Sequence, residues 1–324
     1  KLGLSGVFRN LAEGVRQTRF VIWPQQPPAS RIFILDAFLQ FLIAGLMIGS
    51  LYGLVGIGFT AVYNATGVVN FAQGDFAMLG AMIAIAAYEM GLPLMLAVIV
   101  SVLLLGIIGA VIERTTIRPV RGHVIRGIIV TIGLSVTLQG AAIIAWGTDA
   151  QPMPSFSGDT PLHIGGATIL PQTFWVIGTA VVLMAVLYAF LQYTLLGKAF
   201  RACAVNGFAA RLVGIRIENM LIASFMISGM FGAVAGIIIA PIALTQYDSG
   251  LSLGIKGFVA CIIGGFGNPI GAAVGGLLLG LLEAFASGYI SSGMKSAIAF
   301  LLLLVFLLVR PGGLLGELEK AGRH

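Results

Sequence analysis

An all-α integral membrane protein is the fold class this sequence predicts: a polytopic bundle of about eight to ten helices, some of them discontinuous. Three observations predict it. Of the 324 residues, 58% are hydrophobic and only 9% charged, and the mean hydropathy is +1.04; soluble domains carry roughly 25% charged residues. The apolar residues come in long unbroken runs, which suit spanning helices, rather than in alternating ten-residue strands that would suit a barrel. Glycine is abundant at 45 residues, often at four-residue spacing, as in Gly232 and Gly236, Gly271 and Gly275, and Gly276 and Gly280. Small residues at that spacing let transmembrane helices approach closely.

In chain order, residues 1–35 form a basic extension carrying Lys1, Arg9, Arg16, Arg19 and Arg31. Leu4, Phe8, Leu11 and Val15 share one helical face, with Arg9, Glu13 and Arg16 elsewhere, which predicts an amphipathic helix on the membrane surface. Pro24, Pro27 and Pro28 break it. No secretory signal stands out, because no apolar stretch directly follows the basic residues; the start at Lys1 without Met is compatible with trimming. Residues 36–310 form the membrane domain. Its apolar segments are Phe38–Tyr63, Phe76–Tyr88, Leu92–Ile112, Ile128–Trp146, Phe174–Leu195, Leu221–Ala240, Gly254–Ile263, Ile270–Ile290 and Ala297–Val309. Phe76–Tyr88 and Gly254–Ile263 are too short to cross unaided. Residues 311–324 read as a cytoplasmic tail.

Charge orients the bundle. Arg114–Arg126 holds four basic residues plus His123, and Gly197–Asn219 holds Lys198, Arg201, Arg211 and Arg216. Gly147–Thr173 and Pro241–Leu253 contain no Lys or Arg. The first pair is therefore expected inside and the second outside. Nine full spans then put the N-terminus outside, whereas its five basic residues argue for inside; a re-entrant Asn64–Asp75 stretch would change the parity, and sequence alone leaves that end open.

The oddest stretch is Tyr63–Gly80, which carries Asn64, Thr66, Asn70, Gln73 and Asp75 between two apolar segments. Unpaired polar groups in hydrocarbon cost several kcal/mol each, so this stretch is expected against protein or a wet cavity, not lipid. A similar interruption, Tyr247–Ser252, precedes the second short helix. Each half thus shows a long helix, a polar break and a short glycine-containing helix, over Phe38–Tyr88 and Leu221–Ile263, the pattern of distant repeats flanking a transport path.

Asp75, Lys256 and Glu283 are ionisable groups at membrane depth, where a charge costs at least ~2.5 kcal/mol unless paired or wet. Two readings stand side by side. Asp75 and Lys256 open the two short helices and can pair across the halves, fixing packing alone. Alternatively Asn70, Gln73, Asp75, Tyr247 and Lys256 line a substrate pathway, replacing water around a zwitterion. Glu113 is expected to pair with Arg114 or Arg118. In the basic loop, Asn206 is suited to cap a short helix and Gly214 to end it; Ala209 and Ala210 would present a small surface to an approaching protein. The plain alternative is a helical hairpin obeying the topology rule.

Seven motifs carry a family resemblance. They are Gly-Ser-Leu-Tyr-Gly-Leu (49–54), Gly-Val-Val-Asn-Phe-Ala-Gln-Gly-Asp-Phe (67–76), Glu-Arg-Thr-Thr-Ile-Arg-Pro-Val-Arg (113–121), Gly-Leu-Ser-Val-Thr-Leu-Gln (133–139), Gly-Lys-Ala-Phe-Arg-Ala-Cys-Ala (197–204), Lys-Gly-Phe-Val-Ala-Cys-Ile-Ile-Gly-Gly-Phe-Gly (256–267) and Arg-Pro-Gly-Gly-Leu-Leu-Gly (310–316). In that order the chain resembles the H-type permease of branched-chain amino acid (Liv-type) ABC importers. The resemblance implies a bacterial inner-membrane subunit working with two cytoplasmic ATPase subunits, a second related permease and a periplasmic solute-binding protein. It also implies a coupling helix within Asn206–Ile217 that docks on the ATPase, through Asn206, Phe208, Ala209, Ala210, Arg211 and Gly214. Phe208 stands where the family's loop carries an acidic residue, and the downstream Leu-Pro is missing.

Other classes find little support. The sequence has no phosphate-binding glycine loop, so ATP is expected only on the partner subunits, with no cofactor bound here. The three histidines, His123, His163 and His324, fall in loops or the tail, which leaves no catalytic residues or metal ligands to nominate. Topology accounts for the net charge of +6 without nucleic acid. A proton-coupled secondary transporter using Asp75 or Glu283 is the alternative of a different class. Within the importer class, urea, short amides and aromatic or carboxylic acids are alternative solutes.

Overall fold

The computed structural model of the protein describes residues 31–164, 166–310 and 312–315. The amphipathic helix expected before residue 31 and most of the tail lie outside the described residues. Each of the nine apolar segments is a helix. In chain order the helices are α1 (Arg31–Thr66), α2 (Gln73–Glu89), α3 (Leu94–Ile112), α4 (Val124–Trp146), α5 (Pro171–Tyr193), α6 (Leu195–Val205), α7 (Gly207–Leu212), α8 (Ile217–Ile239), α9 (Ser249–Gly264), α10 (Pro269–Tyr289) and α11 (Lys295–Val309). Among the described residues, seven helical stretches are long and apolar enough to cross a membrane; α2 and α9, at 17 and 16 residues, are not among them. This is a multi-pass membrane protein.

Between α4 and α5 the chain makes an antiparallel hairpin of β1 (Leu162–Ile164) and β2 (Ala167–Ile169), which the helical reading did not include. At the other end α3 runs into a π-helical turn, Glu113–Ile117, and a short 3-10 turn, Arg118–Val120.

Glycine sets the tightest packing. Along α1, a Cβ at Gly45 would lie 2.8 Å from the Leu281 Cα, and one at Gly49 2.7 Å from the Leu277 Cα. Gly276 and Gly280 of α10 press reciprocally on Gly53 and Gly49. The two backbones touch with no side chain between them, which is how small residues bring apolar helices together where lipid supplies no hydrophobic drive. Large side chains fill the remaining gaps, among them Phe76, Met82, Leu105 and Phe225 around α2, α3 and α8, and Leu54, Ile57, Phe59 and Val176 around α1 and α5. Helices α4, α5 and α11 ring this core and expose most of their apolar surface.

The halves are related by exchange. Helix α2 packs on α8 and α9 on α1; likewise α3 packs on α8 and α10 on α1. Direction follows from the contacts. Gly56 meets Cys261 and Asn64 meets Gly267, so α1 and α9 run in parallel, while Gln73 meets Ser228 and Ala77 meets Gly236, so α2 and α8 also run in parallel. Gly58 abuts Gln73, and Tyr52 and Ala77 face one cavity, so α1 and α2 are antiparallel. The first helix of each half therefore runs opposite to the other, the arrangement of an inverted repeat.

The sidedness of α1 also becomes readable. Asp36 abuts Gly166 beside β2, and α1 packs on that strand. The described start of α1 thus lies at the end of the bundle that carries Gly147–Leu170, poor in Lys and Arg.

Candidate functional site

The first interruption is closed by its own polar groups. Thr66 Oγ1 donates to the Val62 carbonyl (2.8 Å) and accepts from the Val68 N–H (3.1 Å), ending α1, and Gly67 takes a positive φ of 69°. Asn70 Oδ1 accepts from the Ala72 N–H at 3.2 Å just before α2 begins. Gln73 Nε2 donates to the Ser228 carbonyl at 3.1 Å, and the Ser228 hydroxyl donates back to Gln73 Oε1. Asp75 Oδ1 accepts from Gln139 Nε2 of α4 at 3.0 Å, and that amide also contacts the Ser135 hydroxyl at 3.2 Å. Asn70, Gln73 and Asp75 are at most 1% exposed. Gln73 and Asp75 bind helix to helix, Asn70 braces the entry to α2, and none of the three lines either of the cavities described next. Asp75 Oδ2 and Asn70 Nδ2 have no hydrogen-bond partner in this structure.

Asp75 and Lys256 do not pair. Lys256 Nζ instead donates to Glu283 Oε1 at 2.6 Å, with the ammonium 5.4 Å from the Tyr52 ring centroid. Tyr52 donates to Glu283 Oε2 at 2.8 Å, and Lys295 Nζ stands 3.9 Å from Oε1. The physical reason is the short turn between α9 and α10. It makes them an antiparallel hairpin and brings residue 283 within reach of a long side chain at 256, whereas Asp75 turns to α4. A buried carboxylate needs its charge met and its lone pairs filled, and Tyr52 with two lysines does both.

Lys256 and Ser252 are common to two cavities. The first, about 160 Å³, lies between α1, α2, α8 and α9 and includes Tyr52, Ala77, Thr245, Ser249, Ser252 and Lys256 in its wall. The second, about 180 Å³, lies between α9 and α11 and includes Ser252, Lys256, Ser296 and Phe300. Tyr247 is half-buried against the core that holds Phe76 and Met82.

At the opposite end, the basic loop folds as α6 and α7. Asn206 Oδ1 accepts from the Ala209 N–H at 3.0 Å, capping α7. Gly214, at φ +86°, ends the helix, and the Ile215 N–H closes on the Ala210 carbonyl at 3.0 Å. Phe208, Leu212 and Val213 are each 74–77% exposed, an apolar display that water does not favour. Ala209 and Arg211 also face outward, but Ala210 is buried, so the small surface expected of both alanines is offered by Ala209 alone. Beside this loop, Arg118 pairs with Glu218 at 2.7 Å, and buried Glu113 pairs with Arg121 rather than with Arg114 or Arg118. Burial pushes the Cys203 thiol of α6 above its usual range.

Sequence reasoning missed Tyr52 and Gln139 as partners and the Lys256–Glu283 pair. One signal was present: two opposite charges at membrane depth on consecutive helices joined by a short turn.

Comparison with known proteins now bears on this geometry. The profile of the family described as "Branched-chain amino acid transport system / permease component" matches residues 41–307. The chain belongs to this family. It is 34% identical over 307 residues to the high-affinity branched-chain amino acid transport system permease protein LivH of Escherichia coli K12, covering 87% of this chain and 97% of LivH. It is 35% identical over 302 residues to BraD of Pseudomonas aeruginosa, a permease protein of the same description, covering 87% and 98%. A more distant relative is the ribose import permease protein RbsC of Haemophilus influenzae, 25% identical over 72% of this chain and 73% of RbsC. The match with the permease family spans every membrane helix from α1 to α11.

Proposed function

We propose that this chain is the membrane-spanning permease subunit of a bacterial inner-membrane ABC importer that moves branched-chain amino acids inward. The family match across residues 41–307 carries the reading. The exposed apolar face of α7 supports it, because that face lies among the basic residues of the cytoplasmic end and has the shape a docking helix requires. Two ATPase subunits would hold ATP and press on α7 through Asn206, Phe208, Ala209, Arg211 and Gly214, with buried Ala210 anchoring the helix to the bundle. A periplasmic binding protein would deliver solute at the Gly147–Leu170 end, and a second, related permease would complete the path. Catalysis would belong to the ATPases, and this chain would carry no cofactor of its own.

On the pathway, Lys256 would meet the solute and Tyr247 would shape the entrance. Gln73 and Asp75 would act from behind, holding α2 against α8 and α4, with Asn70 bracing the start of α2.

Right-side-out membrane vesicles, and proteoliposomes of the assembled importer with ATP enclosed, test the reading. ATP-driven uptake of leucine that requires the binding protein is expected. Uptake that runs on a pH gradient without ATPases would replace it with a secondary transporter. Phe208→Ser should release the ATPases and lower uptake about tenfold or more, as loss of an aromatic anchor does, while leaving thermal unfolding of the permease unchanged.

A further inference from the structure

The charges around Glu283 do not balance. Two ammonium groups, Lys256 and Lys295, surround a single carboxylate, whose other oxygen already holds the Tyr52 hydroxyl. Glu283 is wholly buried, while the Lys256 side chain is 14% exposed and opens on both cavities. Counting Lys295, which is 39% exposed at the start of α11, the cluster carries one positive charge more than its carboxylate balances. The cavity it faces is otherwise apolar on the α2 and α8 sides, with Ala77, Met78, Ala81 and Ile239, and hydroxylated on the α9 side, with Ser249 and Ser252. A wall of that kind suits a small solute bearing one carboxylate and an aliphatic body.

We infer that the cavity between α1, α2, α8 and α9 is a transit site for a carboxylate-bearing solute, and that Lys256 receives the carboxylate by turning from Glu283. This rests on the amino-acid importer reading and names the group that reads the solute within the membrane. Glu283 can release Lys256 because Tyr52 and Lys295 remain on it. The incoming carboxylate then takes the ammonium as a charge-assisted hydrogen-bond partner, a stronger contact than a neutral one. The exchange conserves the number of ion pairs, so the solute can leave as readily as it enters.

The test uses the complete importer, with ATPases, second permease and binding protein, in proteoliposomes; it measures assembly and ATP-driven uptake of radiolabelled leucine. Lys256→Met should lower uptake at least about tenfold, the scale of one lost charge-assisted contact, and Lys256→Arg should keep most of it. Glu283→Gln leaves the ammonium in place and should retain uptake. The deciding variant is Lys256→Met with Glu283→Met, which removes both charges together. It should assemble and remain without uptake. Recovered uptake in that double variant would show that Lys256 only neutralises Glu283, and the inference would fall. Lost uptake in an assembled Glu283→Gln complex would overturn it equally. A wild-type complex that assembles and hydrolyses ATP yet moves no leucine would sink the importer reading, and this inference with it.

Discussion

The two interruptions share one design and serve opposite ends. Each follows a long helix, each starts a short one, and Gly74 of α2 and Gly250 of α9 touch backbone to backbone at the two starts. The first break fills itself: Asn70, Gln73 and Asp75 turn inward onto Ala72, Ser228 and Gln139. The second leaves room beside it, and Lys256, two turns into α9, looks out on two cavities. Breaking a helix frees backbone and admits polar residues. Whether these make a joint or a passage depends on how many partners the neighbouring helices supply. The first break meets polar groups of α8 and α4; beside Lys256 the flanking α11 is barely buried and leaves a cavity.

Exchanging the charges attacks this contrast hardest. Asp75→Lys with Lys256→Asp would place a cation beside the Gln139 amide and an anion beside Glu283. Loss of about 3–5 kcal/mol is expected from unpaired buried charge, visible as failure to accumulate folded protein; rescue by the swap would restore the cross-half pair. Gly74→Leu comes next. Its Cβ would meet the Gly250 carbonyl, a backbone atom that cannot turn away, and overpacking of this kind costs about 3 kcal/mol, to be read as a lower unfolding temperature in detergent. Gln73→Leu leaves the Ser228 hydroxyl and carbonyl of α8 without their partner, which should lower stability by about 1–3 kcal/mol. Ser252→Ala, at the wall shared by the two cavities, should change stability by no more than ~0.5 kcal/mol, while uptake kinetics shift. Were Gln73→Leu silent and Ser252→Ala severe in unfolding, the roles assigned to the two breaks would be reversed.

Much of the scaffold was written in the residue pattern. Long apolar runs separated by glycine, proline or charge give helices wherever lipid is the solvent, since only a helix closes its own hydrogen bonds there. Asn206 and Gly214 announced the two ends of α7 by capping chemistry alone, and the structure has both. The hairpin at residues 162–169 was also signalled, by the Gly165-Gly166 dipeptide between Ile164 and Ala167-Thr168-Ile169, but it lay in a segment read only for its charge. What could not be read were partners across the bundle. Asp75 and Lys256 were matched because each begins a short helix and their charges are opposite. Rotation of α2 about its axis instead turned Asp75 toward Gln139, and the α9–α10 hairpin offered Lys256 a nearer carboxylate. Ala210 shows the same limit. Its neighbour Ala209 faces outward, and one step along a helix rotates a side chain by about 100°, given 3.6 residues per turn, enough to bury it.

The glycine seam between α1 and α10 has a mechanical consequence. Two backbones in direct contact have no side chains to rearrange, so they can slip past each other only by lifting apart or jumping a full ridge. They behave as one beam. Tyr52 rides on one half of that beam and Glu283 on the other, so the phenol and the carboxylate form a fixed post. Lys256 belongs to the shorter α9, whose backbone rests on both α1 and α10, and its ammonium holds the post by a single side-chain hydrogen bond. Releasing Lys256 therefore asks only for a side-chain rotation, and the post stays whole.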